Sequence, residues 1–262
     1  MRIALFSDIH GNTIALDAVL ADIARHGGAD AYCVLGDLVA IGPDPVGVLE
    51  RLADLPNSYY VRGNTDRYTT TDDRPFPTLA DAATEPRLLP LVVQVAESFA
   101  WTRGAVAAAG WLPWLSALPS EQRLALPDGA RLLGVHAAPG TDDGDGINPD
   151  QSDDELHALL ASCGAEIVCV GHTHWPVDRS VAGMRAVNLG SVSNSFPPDL
   201  RASYVLLDAD ANSYRLRHLR ADYDREAVIE LARRVGHPGA DYIAGFLRGA
   251  HRPRWKQLAR IA

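Results

Sequence analysis

The chain has few sulfur residues and no long apolar run. Only three of its 262 residues are cysteines and two are methionines. An odd number of widely spaced cysteines does not suit a disulfide framework, so we predict buried free thiols. The stretch MRIALFSDIH reaches an aspartate after a few apolar residues, which is too short for a signal peptide or a membrane span. We therefore predict a cytoplasmic protein without a membrane segment.

Positive charge is also scarce. The 24 lysines and arginines are outnumbered by 33 aspartates and glutamates, which gives a formal net charge of −9. Such a chain has no overall basic field to hold duplex DNA or an anionic membrane, so long nucleic acid is an unfavourable partner. Small anions can still bind wherever a metal ion reverses the local charge.

The hydrophobic pattern predicts an α/β fold. Short β-rich runs alternate with helical stretches, which is typical of an α/β sandwich whose strands end in loops at one edge. The predicted strands are RIALFS, AYCVLG, SYYVRG, ARLLGV, EIVCVG, MRAVNLG, SYVLLDA and SYRLRHL. Helix starts are predicted at Asn12, at Asp44 with Pro45 after it, and at the capping box of Ser152 and Glu155.

We predict a single domain over residues 1–262 with two helical additions. Residues 68–120 are predicted to form a helical cover insertion, which starts as a loop from residue 68 to about 85 and continues as a long helix from about Arg87 to Ala109. Residues 222–262 are predicted to form a C-terminal helical segment with a basic end. The cover contains three tryptophans, which either pack in a satellite core or line a pocket. They are Trp101, Trp111 and Trp114.

Polar side chains follow five of the predicted strands. The set is Asp8, His10, Asp37, Asn64, Asp66, His136, His172 and His174. In an open α/β sheet, the loops beyond the carboxyl ends of the strands form the ligand crevice. Asp66 is either a partner behind the ligands or a turn former. The other seven exceed the three or four protein ligands that one catalytic ion usually takes, so we predict two divalent ions.

Asp37 is the natural bridge, because two cations about 3.5–4 Å apart require an anion between them. In extended chain, Asp8 and His10 point to the same side and can reach one ion. His172 and His174 either share an ion or serve different ones. Ligation without thiolate favours Mn²⁺, Fe or Zn²⁺, with Co²⁺ and Ni²⁺ as laboratory substitutes. We take Mn²⁺ as the expected ion.

Six motifs occur in order from Asp8 to about Ser193: DIHGN, GDLVAIGPDP, GNTD, GVHAAPG, GHTHWP and NLGSVS. They resemble the successive motifs of the calcineurin-like metallophosphoesterase superfamily, and RASYVLLD resembles its small bacterial phosphodiesterase-like branch. The resemblance implies a four-layer α/β/β/α sandwich with a dimetal centre. It assigns Asp8, His10 and His174 to the first ion, Asn64, His136 and His172 to the second, and Asp37 to both.

The chemistry implied by the resemblance is phosphoester hydrolysis by a metal-activated water. The predicted catalytic residues are Asp37, Asn64, Asp66 and His136. The expected substrates are small phosphodiesters or phosphoanhydrides, including dinucleoside polyphosphates and cyclic nucleotides. The alternatives are a phosphomonoesterase of broad specificity and a catalytically idle interaction scaffold of the same fold. A homo-oligomer is also expected from the resemblance.

Thr65 departs from many members of that superfamily, which have a histidine after GN that protonates the leaving oxygen or steadies the phosphate. A threonine hydroxyl is not a general acid near neutral pH, so the departure favours substrates with good leaving groups. Alternatively, Thr65 only fits the turn and another group donates the proton. Three nearby arginines are expected to form surface salt bridges rather than hold phosphate. They are Arg62, Arg67 and Arg185.

Overall fold

The protein is described by a computed structural model over residues 1–253. The prediction for the basic end of the chain lies largely outside the described residues. The strands are β1 Arg2–Phe6, β2 Ala31–Leu35, β3 Ser58–Val61, β4 Glu121–Ala125, β5 Arg131–Val135, β6 Ile167–Val170, β7 Val177–Val181, β8 Met184–Asn188, β9 Ala202–Ala209 and β10 Tyr214–Ala221. The helices are α1 Thr13–Arg25, α2 Pro45–Ala53, α3 Asn64–Thr70, α4 Leu79–Thr84, α5 Leu89–Ala108, α6 Leu112–Ser116, α7 Asp153–Leu160, α8 Arg225–Arg234 and α9 Ala240–Leu247, with a short 3-10 helix at Pro86–Leu88.

The strands form two mixed sheets of five. The first sheet has the order β10-β9-β1-β2-β3, and the second has the order β4-β5-β6-β8-β7. In the first sheet β1, β2 and β3 run parallel, and in the second β5, β6 and β8 do. The remaining strands join their neighbours antiparallel. Each sheet therefore has three parallel strands whose carboxyl ends lie at one edge.

Alternating side chains along the strands build the inner core. In β1, Ile3 and Leu5 face the space between the sheets, whereas Ala4 and Phe6 face away from it. Strand β6 is buried on both faces in the same way, because its odd-numbered residues enter the inner core and its even-numbered residues enter the outer one. This two-residue period packs the sheets face to face.

Helices cover both outer faces. Apolar side chains of α1, α2, α8 and α9 pack on the first sheet, where Leu16, Leu49 and Ile229 are fully buried. Helix α7 covers the second sheet through Leu156 and Leu160. The layers are thus helix, sheet, sheet and helix, and the predicted four-layer sandwich is confirmed. None of the helices within residues 1–253 is long and apolar enough to cross a membrane.

Local signals predicted most elements, but two of the four edge strands were missed. The side chains of Asn12, Asp44 and Ser152 cap α1, α2 and α7 as predicted. Strands β4 and β7 were not predicted, because each lies at the edge of its sheet and exposes much of its polar sequence. The predicted loop from residue 68 to 85 is wrong in part, since it contains the end of α3 and all of α4. A capping box of Thr78 and Asp81 starts α4 and could have revealed it.

The three tryptophans of the predicted cover contact other side chains of the protein. The indole of Trp114 contacts the rings of Tyr60 and Trp111, at 5.3 and 5.8 Å between centroids. Both indoles lie against the core outside the first sheet, and Trp101 contacts His237. That core also includes Leu115 from the cover and side chains of α8 and α9. We therefore propose that the described chain is one domain.

A buried hydrogen bond ties α1 to the first sheet, and its loss should be measurable. Tyr204 is fully buried and donates to Asp22 Oδ2 over 2.5 Å. We expect Tyr204→Phe to lower the free energy of unfolding by about 1–2 kcal/mol at neutral pH. Burial alone would raise the pKa of Asp22, but hydrogen bonds from Tyr204 and Arg25 hold it below its usual value.

The sign of the pH dependence follows from this lowered pKa. A carboxyl whose pKa is lower in the folded state adds stability above its unfolded pKa, and that stability is lost as the pH falls through the folded value. The difference in free energy of unfolding between wild type and Tyr204→Phe should therefore have its full size at neutral pH and become smaller in acid. Urea unfolding at several pH values checks this, and a difference that widens towards acid would contradict it.

Candidate metal centre

The predicted ligands meet at the carboxyl ends of the parallel strands. Asp8, Asp37 and Asn64 follow β1, β2 and β3 of the first sheet, while His136 follows β5 and His172 and His174 follow β6 of the second. Backbone hydrogen bonds fix the loops to one another, from Asp8 N to Gly36 O at 3.0 Å and from Gly171 N to His136 O at 2.8 Å. All seven predicted ligands thus come from one edge of the sandwich.

Four of them form a candidate metal site. The ligand atoms of Asp8, His10, Asp37 and His174 all lie within 4.8 Å of one another. His174 Nε2 is 3.2 Å from both Asp8 Oδ1 and His10 Nε2. His10 Nε2 is 3.8 Å from Asp37 Oδ2. We refer to Asp8, His10 and His174 as the first cluster, which lies on one side of Asp37.

The other ligands form a second cluster of Asn64, His136 and His172 around the same aspartate. Asn64 Oδ1 is 3.0 Å from His136 Nε2 and 3.2 Å from His172 Nδ1. His136 Nε2 is also 3.3 Å from Asp37 Oδ1. Asp37 therefore presents Oδ2 to the first cluster and Oδ1 to the second, which is the arrangement that a bridging carboxylate requires.

The histidine rings are oriented from behind by backbone carbonyls. His10 Nδ1 is 3.0 Å from Ala40 O, His136 Nδ1 is 2.6 Å from Leu35 O, and His172 Nε2 is 2.8 Å from Gly144 O. A carbonyl oxygen only accepts, so each outward nitrogen carries the proton when the ring is neutral. The inward nitrogen then has a free lone pair, as a metal ligand needs.

The charge states of several buried groups also suit a cation. Burial lowers the pKa of His10 and His172, which favours neutral imidazoles. Burial alone would raise the pKa of Asp8, but the charge and hydrogen bond of His174 hold it below its usual value. Burial likewise opposes charge on His136, yet the adjacent Asp37 raises its pKa to about 10. Buried carboxylates here attract positive charge strongly.

Backbone strain is concentrated in the same loops. Eight residues other than glycine have a positive φ within residues 1–253, and five of them are predicted ligands. These five are Asp8, His10, Asp37, His172 and His174, with φ between 49° and 66°. Left-handed backbone is uncommon for residues other than glycine, and such residues cluster at functional sites, where the surrounding structure enforces the conformation.

Two glycines let the ligand loops approach each other. A Cβ at Gly63 would lie 2.1 Å from Asp37 Oδ1, and a Cβ at Gly171 would lie 2.3 Å from Asp8 Oδ2. Any side chain at either position would displace a carboxylate of the centre. The glycines of GNTD and GHTH are therefore explained by contact with the ligands.

Asp66 lies behind the ligands. Its Oδ1 accepts from Leu38 N and its Oδ2 from Gly63 N, both at 2.9 Å, so it ties the loop after β2 to the start of α3. Burial and the charge of Asp37 raise its pKa to about 7. Both oxygens bind backbone, so the geometry supports a role in positioning the ligand loops.

A salt-bridge network, missed by the sequence reasoning, supports His172. Arg67 contacts Asp142 and Asp143, and Tyr68 donates to Asp143. Asp143 Oδ1 in turn accepts from Gly144 N at 2.8 Å, and Gly144 O holds His172. Arg62 and Arg185 also form salt bridges, with Asp142 and Asp178, so the expectation for the three arginines is confirmed. The backbone carbonyl of Gly144 leaves no signal in the sequence.

We expect Arg67→Ala to weaken binding of a divalent ion at the second cluster by up to about 10-fold. This is the lower end of the range for groups that bond a ligand directly, because Arg67 acts on His172 through Asp143 and Gly144. The first ion should bind as in wild type. Calorimetric titration of metal-free protein with Mn²⁺ measures both affinities. Arg185→Ala is the matched control, since it breaks a similar arginine–aspartate pair at β7 and β8. Equal affinities in wild type and Arg67→Ala would contradict the prediction.

Thr65 carries an orphan hydroxyl beside the centre. Its backbone N donates to Asp37 Oδ1 at 2.9 Å, and the residue is buried. Its Oγ1 has no hydrogen-bond partner within the described part of the chain. Buried polar atoms are rarely left unsatisfied, so this hydroxyl suits a partner that comes with a ligand.

A family model described as the calcineurin-like phosphoesterase superfamily domain matches residues 1–212. The chain belongs to this superfamily. Its membership confirms the family predicted from the six motifs. Among curated proteins, it is similar to an uncharacterized protein of Methanocaldococcus jannaschii, with 27% identity over 246 residues that cover 87% of this chain and 90% of that protein.

Two solved structures resemble this calcineurin-like chain in fold. A hypothetical protein of Pyrococcus horikoshii has a TM-score of 0.76 and 22% identity, with 94% of this chain and 97% of that chain covered. A metallophosphoesterase of Sphaerobacter thermophilus has a TM-score of 0.74 and 24% identity, with 96% and 99% covered. The match extends beyond residue 212, so the fold of these structures includes the C-terminal part of the chain.

Proposed function

We propose that this protein is a phosphoester hydrolase whose centre holds two divalent metal ions. Asp37 carries the proposal, because its two oxygens face two separate ligand clusters. Asp8, His10 and His174 would hold one ion with Asp37, and Asn64, His136 and His172 would hold the other. The oriented imidazoles and the buried carboxylates fit a pair of divalent ions. The unpaired hydroxyl of Thr65 fits a ligand bound beside them.

Bound divalent ions supply Lewis acidity for the phosphate oxygens and lower the pKa of a water. The side chains of the protein position the reacting groups and supply the electric field around them. The carbonyls of Ala40, Leu35 and Gly144 hold the rings of His10, His136 and His172, so these three rings are oriented before an ion binds. Asp66 holds the loops of Asp37 and Asn64 together. Thr65 Oγ1 would donate a hydrogen bond to a phosphate oxygen.

The proposed substrates are small phosphodiesters or phosphoanhydrides, including nucleotides. Thr65 supports this choice, since no histidine stands after Asn64 to protonate a poor leaving group. Mn²⁺ as the ion, the cytoplasmic location and a homo-oligomer stay predictions from the sequence. A monoesterase or an idle scaffold would be recognised by the outcomes below.

The direct test compares bis-p-nitrophenyl phosphate with p-nitrophenyl phosphate after chelation and after Mn²⁺ is restored. We expect no hydrolysis after chelation and Mn²⁺-dependent hydrolysis that favours the diester. Preference for the monoester would replace the proposal with a monoesterase. Hydrolysis of no phosphoester at any metal loading would leave the scaffold as the function.

Thr65→His tests whether the missing histidine restricts the protein to substrates with good leaving groups. The new imidazole would stand beside Asp37 and could protonate a leaving oxygen. We expect hydrolysis of esters with poor leaving groups, such as phenyl phosphate, to rise by on the order of 10²-fold relative to p-nitrophenyl phosphate. Thr65→Asn is the control, because it changes the side chain without adding an acid. An unchanged ratio in Thr65→His would mean that another group donates the proton.

A further inference from the structure

A cluster of aromatic rings adjoins the first metal cluster. Phe196 and Phe246 each lie 6.0 Å from the ring of His174, measured between centroids, and 5.4 Å from each other. His251 stacks on Phe246 at 4.3 Å, and Tyr242 contacts Phe246 and His251 at 5.5 and 4.7 Å. We call Phe196, Tyr242, Phe246 and His251 the aromatic wall.

The wall is built from two distant parts of the chain. Phe196 lies in the loop between β8 and β9, and this loop is fixed to the centre because Ser191 Oγ and Ser193 N both donate to Asp8 O. Tyr242 and Phe246 belong to α9, and His251 follows that helix. The C-terminal helices therefore bring aromatic rings to the edge of the sandwich that carries the metal ligands.

Burial divides the wall into a base and a rim. Phe246 is 7% exposed and lies between His174 and His251, so it supports the others. Tyr242 is 39% exposed, and Phe196 and His251 are half-buried. Phenyl and phenol rings carry no charge, and burial lowers the pKa of His251, so the rim suits a neutral planar group better than a second phosphate.

We propose that the aromatic wall binds the base of a nucleotide whose phosphate lies at the metal centre. The inference rests on the proposed function and names its substrate class. His174 joins the two sites, since its Nε2 faces Asp8 while its ring contacts Phe196 and Phe246. Aromatic rings therefore lie next to one of the residues that would hold the phosphoester, and a nucleobase stacks on such rings regardless of its identity.

The test uses two ligands that differ only in the base, adenosine 5′-monophosphate and ribose 5-phosphate. Their dissociation constants are measured by calorimetry on the Mn²⁺-loaded full chain. We expect the nucleotide to bind about 10- to 100-fold more tightly, which is the size of one base–aromatic contact. Tyr242→Ala and Phe196→Leu should each reduce this ratio by about fivefold or more, whereas Tyr242→Trp should retain it.

Tyr59→Ala is the matched control, because Tyr59 is 37% exposed but lies on β3 away from the wall. Its ratio should equal that of wild type. A wall that is only structural would change both dissociation constants together and leave the ratio intact. Equal binding of the two ligands by wild type, or an unchanged ratio in Tyr242→Ala, would overturn the inference.

Failure of the inference and failure of the proposed function give different results. If the ratio is near one but bis-p-nitrophenyl phosphate is hydrolysed, the metal centre stands and the wall does not bind a base. If neither ligand binds, the inference fails. Hydrolysis of the same ester on that sample then shows whether the proposed function fails with it.

Discussion

Asp37→Asn should remove bound metal and turnover together. The amide keeps the size of the carboxylate but lacks its charge, and only one of its two terminal atoms can accept. Because Asp37 faces both clusters, its loss affects both ions rather than one. We expect fewer than two Mn²⁺ per chain and a fall in kcat/KM for bis-p-nitrophenyl phosphate on the order of 10³-fold or more. Metal analysis and kinetics on one preparation measure both.

Asp17→Asn is the control for charge and substitution type. Asp17 pairs with Arg51 on the surface of α1 and touches no ligand loop. The Asp17→Asn variant should bind two ions and hydrolyse bis-p-nitrophenyl phosphate as wild type does. If Asp37→Asn also bound two ions with normal turnover, the bridging role of Asp37 would be wrong.

Gly63→Ala should disrupt the centre through the backbone. The added Cβ would lie 2.1 Å from Asp37 Oδ1 and 2.2 Å from Asp37 N. The backbone N cannot move without moving the loop after β2, and movement of Oδ1 displaces the carboxylate. Overpacking of this kind costs about 1–3 kcal/mol. We expect a matching loss of stability by urea unfolding, and a loss of Mn²⁺ affinity because Asp37 is displaced.

Gly104→Ala provides a control of opposite sign. Gly104 lies inside α5, and a Cβ there would have nothing within 4 Å. Alanine should stabilise this helix by about 0.5–1 kcal/mol and leave metal binding unchanged. If Gly63→Ala were as stable as Gly104→Ala and bound two ions, the close contact with Asp37 would not matter as we argue.

The proximity of the predicted metal ligands was accessible to sequence reasoning for a physical reason. Each follows a short apolar run, and the ends of parallel strands meet at one edge, so local patterns were enough to bring Asp8, Asp37 and His136 together. The alternation of buried residues in β1 and β6 likewise follows from the two-residue period of a strand. These features need no knowledge of which loop contacts which.

Features that depend on contact between distant segments were not predictable. Gly144 binds His172 through its backbone carbonyl, which no residue type reveals. The contact of Phe246 with His174 depends on how α9 packs against the rest of the protein. The sequence left the tryptophans of the cover either in a core or beside a pocket, and Trp111 and Trp114 pack on the core outside the first sheet. Composition indicates that rings are present, but tertiary packing decides which ones adjoin the ligands.

The most direct test of the account is a titration of metal-free protein with Mn²⁺, in which bound ion and hydrolysis of bis-p-nitrophenyl phosphate are measured on the same samples. We expect two ions to bind per chain, and we expect the rate of hydrolysis to reach its maximum only as the second site fills. Full hydrolysis with a single bound ion would contradict the two-ion centre. Two bound ions without hydrolysis of this ester would contradict the proposal that the centre hydrolyses phosphodiesters.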